Sequence, residues 1–211
     1  MRRVPFFPCG LPALALLAVL CAFPAPSFAA DALAGLKERT ASVMTLRSAF
    51  VQETAIPMFA QPMRSQGRFL FKRPDCLRWE FTSPMREGFA LKGDTGVRWE
   101  DDGAVRTAFT AKSDPVAGVI ARQLMAWITF DLASINREYT IETLGETPLV
   151  LRMIPLREDV RAVIASITIT FSAEGPASLV AIQEARGGRT TIAFSDTVVN
   201  GPVDDGEFDP R

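Results

Sequence analysis

The chain has 211 residues, with 23 basic and 24 acidic side chains, a net charge of −1 and no histidine. Near-neutral charge with mixed signs leaves no electrostatic footprint for nucleic acid. Without histidine, neither a Ser-His-Asp nor a Cys-His centre can be assembled, and the commonest zinc ligand is missing.

The first expected element is a signal peptide over residues 1–29. Arg2 and Arg3 form its basic start, Leu11 to Phe23 its apolar run, and Ser27-Phe28-Ala29 the small-residue cleavage site, with the cut after Ala29. Cys21 opens a second route, a lipid-modified N-terminus, but Leu20 stands where a small residue is wanted before such a cysteine. Removal of residues 1–29 leaves one domain, 30–211, of 182 residues with 21 basic and 24 acidic side chains. Its single cysteine, Cys76, allows no internal disulfide and no redox pair. No later apolar run approaches the roughly 20 residues of a spanning helix, so an exported, soluble product is expected.

Asp31 to Met44 predicts a helix, with Leu33, Leu36, Thr40, Val43 and Met44 along one stripe. From Leu46 the period changes to two, and strands are expected near 46–56, 64–73, 76–82, 87–92 and 96–101, separated by prolines and glycines. Ser113-Asp114-Pro115 is a helix start, followed by the stripe Val116, Val119, Ile120, Gln123, Leu124 and Trp127. Strands resume near 137–144, 148–154, 164–172, 178–185 and 189–196, and the residues from Val199 onward read as a turn with a short acidic end. The class is α+β, mainly antiparallel β: about ten strands in meanders, with two amphipathic helices to cover the apolar face.

Three features that suggest chemistry have simpler readings. Gly187-Gly188 is a hairpin turn, and Asp101-Asp102-Gly103 and Asp204-Asp205 with Glu207 are turn chemistry before they are carboxylate pairs or cation sites. Cys76 reads as a small packing residue. No nucleotide fingerprint occurs, and no metal or cofactor is expected.

Phe71-Lys72-Arg73-Pro74-Asp75-Cys76-Leu77-Arg78-Trp79-Glu80-Phe81 is the most informative stretch. Leu77, Trp79 and Phe81 share one face and Arg78 and Glu80 the other; upstream, Gly67, Phe69 and Phe71 share a parity that Arg73 continues. Arg73 therefore either turns toward the apolar face or snorkels to water at a strand end.

The order of these features resembles the LolA family of periplasmic lipoprotein carriers over nearly the whole mature chain. The residues that carry the resemblance are Leu46 to Gln52, with its Phe50-x-Gln52, then Gly67 to Pro74 with Lys72-Arg73-Pro74, then Leu77 to Phe81 and Pro84. The resemblance implies an unclosed antiparallel β-barrel of ten to eleven strands, with helices over a hydrophobic cavity, and a monomeric carrier rather than an enzyme. It implies acylated lipoprotein or lipid cargo, an inner-membrane ABC-type or other lipid exporter as donor, and an outer-membrane acceptor. At roughly 0.8 kcal/mol per methylene, exposing an acyl chain of about 15 carbons costs on the order of 12 kcal/mol, so hiding the chain is the whole task.

Residue by residue, Arg73 matches the family's lid-locking arginine, while Phe50, Phe69, Phe71, Leu77, Trp79 and Phe81 are cavity candidates. Leu124, Met125, Trp127 and Ile128 are lid candidates. Periodicity does not separate an ordinary packed core from a cavity for any of them. Leu77 stands where the family often has phenylalanine, the loop after Trp99 lacks an aromatic-rich stretch, and the chain ends soon after Phe208-Asp209-Pro210. These departures suit a branch that carries another lipid for an exporter, and a lipid-binding sensor or scaffold of the same fold is the alternative.

Overall fold

The computed structural model describes residues 28–110, 113 and 124–209. Most of the expected signal peptide, and Asp114 and Pro115 with the start of the second expected helix, lie outside the described residues. Eleven strands form one antiparallel sheet: β1 Thr45–Ala55, β2 Met63–Lys72, β3 Cys76–Ser83, β4 Glu87–Lys92, β5 Thr95–Glu100, β6 Val105–Thr110, β7 Tyr139–Glu146, β8 Leu149–Pro155, β9 Ile164–Phe171, β10 Ala177–Glu184 and β11 Arg189–Val199. Helix α1 spans Phe28–Ala41, α2 covers residues 124–128, α3 spans Leu132–Glu138 and α4 spans Glu158–Arg161.

The strand order is β6-β5-β4-β3-β2-β1-β11-β10-β9-β8-β7. Two meanders, β1–β6 and β7–β11, are thus joined by the β1–β11 pairing, and β6 and β7 are the two free edges. The segment between those edges carries α2 and α3. This is the unclosed antiparallel barrel that the sequence resemblance implied.

Alternation builds the concave face. Leu46, Ser48 and Phe50 are buried on β1, Phe69 and Phe71 on β2, and Ile167, Ile169 and Phe171 on β9. Gly67 sits opposite Phe50 on one side and Phe81 on the other. A Cβ at Gly67 would run into the Phe50 ring and the Glu80 carbonyl, so the missing side chain is what admits the phenylalanine. Phe81 then meets Phe50 edge-on, with centroids 5.4 Å apart.

The opposite face carries a second, smaller core. After β11 the chain turns back, and Phe208 and Val203 cover Leu70 and Cys76. Residues Asp205–Phe208 form a 3-10 turn with a capping box between Asp204 and Glu207, so the acidic end is turn chemistry, as expected. Arg47 reaches Glu207 at 2.7 Å, Lys72 reaches Asp205 at 2.6 Å, and Arg78 Nη1 donates to the Glu207 carbonyl at 3.0 Å and the Asp209 carbonyl at 3.3 Å. Burial pushes the Cys76 thiol up, as befits a packing residue.

The structure corrects several expected boundaries. Helix α1 ends at Ala41, three residues earlier than its apolar stripe suggested, and Met44 is exposed. Strand β6 was not anticipated, because its residues Val105 to Ala108 are exposed and show no inside-outside alternation. Residues 137 and 138, expected to start a strand, end α3 instead, a helix whose N-terminus is capped by the Asp131 side chain accepting from the Ala133 and Ser134 N–H groups. Arg78, on the face opposite Leu77, Trp79 and Phe81 as its parity indicates, is 8% exposed beneath the C-terminal segment.

Candidate functional site

A cavity of about 830 Å³ lies between the concave face of the sheet and the helices. That volume falls near the top of the roughly 300–1,000 Å³ range of ligand pockets. Aromatic and branched side chains dominate its wall. Phe69, Trp79 and Phe81 come from the first meander, Ile169, Phe171 and Phe194 from the second, and Leu124, Trp127 and Ile128 from α2 and the residue line it presents.

Of the candidates read from sequence, Phe69, Trp79, Phe81, Leu124 and Trp127 border the cavity. Phe50, Phe71 and Leu77 do not; each is at most 1% exposed, inside the packed wall. Phe50 shows why. Its ring stacks beneath Trp79 at 4.3 Å between centroids, so Trp79 takes the cavity side and Phe50 supports it. Ile128 borders the cavity and Met125 packs against the core beside it.

The second meander was missed as lining, although its period-two runs carry the signal. The same alternation that marks Ile167, Ile169 and Phe171 as one face also turns Val180, Ile182 and Ile192 inward. Phe89 and Phe109 border the cavity from β4 and β6. What no pattern in one chain reveals is that these two faces stand apart with space between them.

Polar groups in the wall are few and satisfied. Ser48, 3% exposed, lies 2.8 Å from the Ser195 carbonyl and 2.8 Å from Thr197 Oγ1, where β11 bulges at Asp196 with φ 51°. Gln52 borders the cavity two turns of the pleat further on. Charges gather at one end only: Glu87, Arg98 and Glu100 line the cavity where β4 begins and β5 finishes. Among the described residues, no buried side-chain nitrogen or oxygen lacks a hydrogen-bond partner.

Arg73 follows the end of β2 and is half-buried. Its Nε donates to the Val43 carbonyl at 2.7 Å and its Nη2 to the Thr40 carbonyl at 3.1 Å, while its backbone N–H donates to Met44 at 2.8 Å. Those carbonyls lie at and just beyond the C-terminus of α1, where helix geometry leaves acceptors unsatisfied and a cation is favoured. The guanidinium therefore faces the helix covering the sheet, on the side its strand parity indicates. Thr40 and Val43, the residues so held, themselves border the cavity. The arrangement shapes an apolar space and fastens one of its walls.

Comparison with known proteins agrees with this geometry. Residues 41–211 match the family described as outer membrane lipoprotein carrier protein LolA. The chain is similar to an outer-membrane lipoprotein carrier protein of Leptothrix cholodnii, at 26% identity over 85% of this chain and 81% of that one. A protein of the same description from Methylibium petroleiphilum is 28% identical over 62% of this chain and 60% of its own length. Among solved structures, a chain of the MucA/MucB complex of Pseudomonas aeruginosa superposes with a TM-score of 0.54, at 13% identity, over 86% of this chain and 60% of that one, which is a likeness of fold. With its match running from the end of α1 to the C-terminus, the chain belongs to the LolA family.

Proposed function

We propose that the chain is a periplasmic carrier that hides the acyl chains of a lipoprotein, or of a related lipid, during transfer from the inner to the outer membrane. The observation that carries this reading is the apolar cavity of about 830 Å³, held between sheet and helices. Burying about 15 methylenes at roughly 0.8 kcal/mol each favours the cavity over water by about 12 kcal/mol, a factor of the order of 10⁸ in equilibrium. An inner-membrane exporter donates the cargo and an outer-membrane acceptor removes it; the carrier itself needs neither nucleotide nor catalytic group. Residues 1–29 act as the export signal, which N-terminal sequencing of the exported protein tests directly.

Phe69, Trp79, Phe81, Leu124 and Trp127 contact the acyl chains, with Phe50, Phe71 and Leu77 supporting them from behind. Arg73 holds α1 against the sheet when the cavity is empty and yields when cargo enters. The decisive experiment is purification from the native host, identification of bound lipid by mass spectrometry, and a transfer assay from donor vesicles to acceptor vesicles. Copurified acylated cargo with net transfer is the expected result. A protein that never carries lipid and takes none from donor vesicles overturns the proposal. A stable complex with a partner protein and no net transfer favours instead a sensor or scaffold of the same fold.

A further inference from the structure

The two ends of the cavity differ in chemistry. Where β1 begins and β9 passes to β10, the lining is apolar: Val43, Phe109, Phe171, Pro176 and Ala177 border it, and Thr40 turns its hydroxyl onto the Leu36 carbonyl of its own helix at 2.9 Å. This floor is held from both meanders. Besides the Arg73 bonds, Asn200 Oδ1 accepts from the Met44 N–H at 2.7 Å and Asn200 Nδ2 donates to the Ser42 carbonyl at 3.0 Å. From the β9–β10 turn, Gly175, with φ 110°, approaches α1 so closely that a Cβ on it would stand 2.9 Å from the Arg39 Cβ.

The other end is charged. Among the described residues, the charged side chains that border the cavity are Glu87, Arg98 and Glu100, two carboxylates and one guanidinium. Strand register turns them onto the concave face: Glu87 pairs with Phe81, and Arg98 with Phe89, which itself pairs with Trp79. One step beyond the Gly88–Trp99 pair, Glu87 and Glu100 stand opposite each other. Like charges directly opposite on one face of a sheet are unfavourable, and a cation between them relieves the repulsion. Arg98, two residues from Glu100 on the same face, offsets one carboxylate and leaves the other. Glu87 is half-buried, and Arg98 and Glu100 are exposed, so at this corner the apolar space meets water.

We infer that cargo lies in this cavity tail first, its acyl chain end at the floor and its head at the charged corner, and that the head carries a primary ammonium held by Glu87 and Glu100. A head turned the other way loses its hydration against side chains that return no hydrogen bond. A guanidinium has five N–H donors, so Arg98 meets an oxygen of the same head while keeping the contacts it already has. Two kinds of head share this chemistry, an ammonium beside an acceptor oxygen: a phosphoethanolamine lipid, and an S-acylglyceryl cysteine whose α-amine is free. The inference rests on the carrier reading above and adds to it a direction and a head-group class.

The test is displacement of a fluorescent fatty acid from the mature protein by ligands paired to differ in the ammonium alone: lysophosphatidylethanolamine against its N-acetyl form, and an S-dipalmitoylglyceryl cysteinyl peptide against its N-acetyl form. The free amine binds about fivefold more tightly in at least one pair, the scale of a charge pair at a partly hydrated site, and the pair that shows it identifies the source. E87Q/E100Q removes that preference. E53Q, which deletes a carboxylate at the same end but off the cavity, keeps it. The preferred ligand, carrying a diazirine at its chain end, cross-links on irradiation to the segment from Phe171 to Ala177, read by mass spectrometry. Equal binding within both pairs, a preference that survives E87Q/E100Q, or chain-end cross-links to the segment from Glu87 to Glu100 overturns the inference and leaves the carrier reading standing. A protein that binds none of the four ligands and no fatty acid overturns the carrier reading, and this inference with it.

Discussion

Arg73 and Arg78 flank one tight turn, and each fastens a different segment to a different face of the same sheet. On the concave side, Arg73 donates to the Thr40 and Val43 carbonyls at the end of α1. On the convex side, Arg78 donates to the Glu207 and Asp209 carbonyls, and there it also has Glu80 at 3.2 Å and the Trp99 ring at 4.6 Å from its guanidinium carbon. Arg47 and Lys72 add carboxylate contacts to the same C-terminal segment. The difference lies in what joins the carbonyl bonds: nothing comparable beside Arg73 is needed to hold a helix end, whereas Arg47–Glu207 and Lys72–Asp205 reinforce Arg78. Carbonyls at a helix end hold a guanidinium by a few directional bonds, which a shift of the helix breaks together, whereas an ion pair under an apolar cap holds through a network. One clamp suits a wall that moves, and the other a wall that stays.

The largest effect that sharpens this contrast is expected from R78L. Removing a guanidinium that is 8% exposed strips the C-terminal segment of two bonds and leaves Glu80 with Arg68 as its remaining ion-pair partner. A loss of about 3 kcal/mol in urea unfolding is expected. Fatty-acid affinity of the folded protein changes little, because among the Arg78 contacts named here only Trp99 borders the cavity. Equal damage to ligand binding breaks the distinction between the two sides.

R73L comes next. The loss of two carbonyl bonds at a half-buried site costs about 1–2 kcal/mol, measured in the same unfolding experiment. Its signature is kinetic: with α1 no longer fastened over the empty cavity, the loaded state gains relative to the empty one. Stopped-flow transfer of a fluorescent fatty acid to acceptor vesicles is then slower than in wild type. Unchanged release returns Arg73 to the role of a helix cap.

Acid separates the clamps more gently. Burial pushes the Glu80 carboxyl up, but the hydrogen bond and charge of Arg78, joined by Arg68, outweigh it and hold the group below its ordinary value of 4.5. A depressed carboxylate contributes stability that is fully present above the ordinary value and is lost as pH falls through the lower, folded one. The hydrogen bond from Lys72 depresses Asp205 in the same direction. Arg73 donates to backbone carbonyls, which do not titrate, so acidification loosens the convex side first. Unfolding free energies measured down through the carboxylate range fall in wild type and follow a flatter course in E80Q. The smallest effect is expected from K72M: its partner Asp205 is 67% exposed, so water and salt already screen the pair. Its melting temperature stays close to wild type and responds less to added salt.

The strands were legible because most are buried on one face, and ten of the eleven announce themselves by period two. Strand β6 did not, because its first four residues are exposed and only Phe109 is buried, too little for an alternation to show. The direction of Arg73 followed from counting residues along β2, whereas the burial of Arg78 did not follow from counting along β3. Arg78 is buried by a segment 129 residues further along the chain, and nothing local encodes that return. The cavity was legible only by family resemblance. Phe50, Phe69 and Phe71 share one parity-derived face and one chemistry, yet only Phe69 meets empty space, because vacancy depends on how far apart the two meanders stand.

The free edges at β6 and β7 bear on how much this carrier can hold. A closed barrel has a girth set by its strand number and stagger, since every ladder must meet the next. Among the described residues no ladder joins β6 to β7, and α1 and α3 pack against β7. Changes in sheet coiling can therefore alter the interior without breaking a ladder. A seam of this kind lets one wall close on nothing, on a single acyl chain or on several, so that capacity is a property of how far the sheet uncurls rather than of any pocket cut to one cargo.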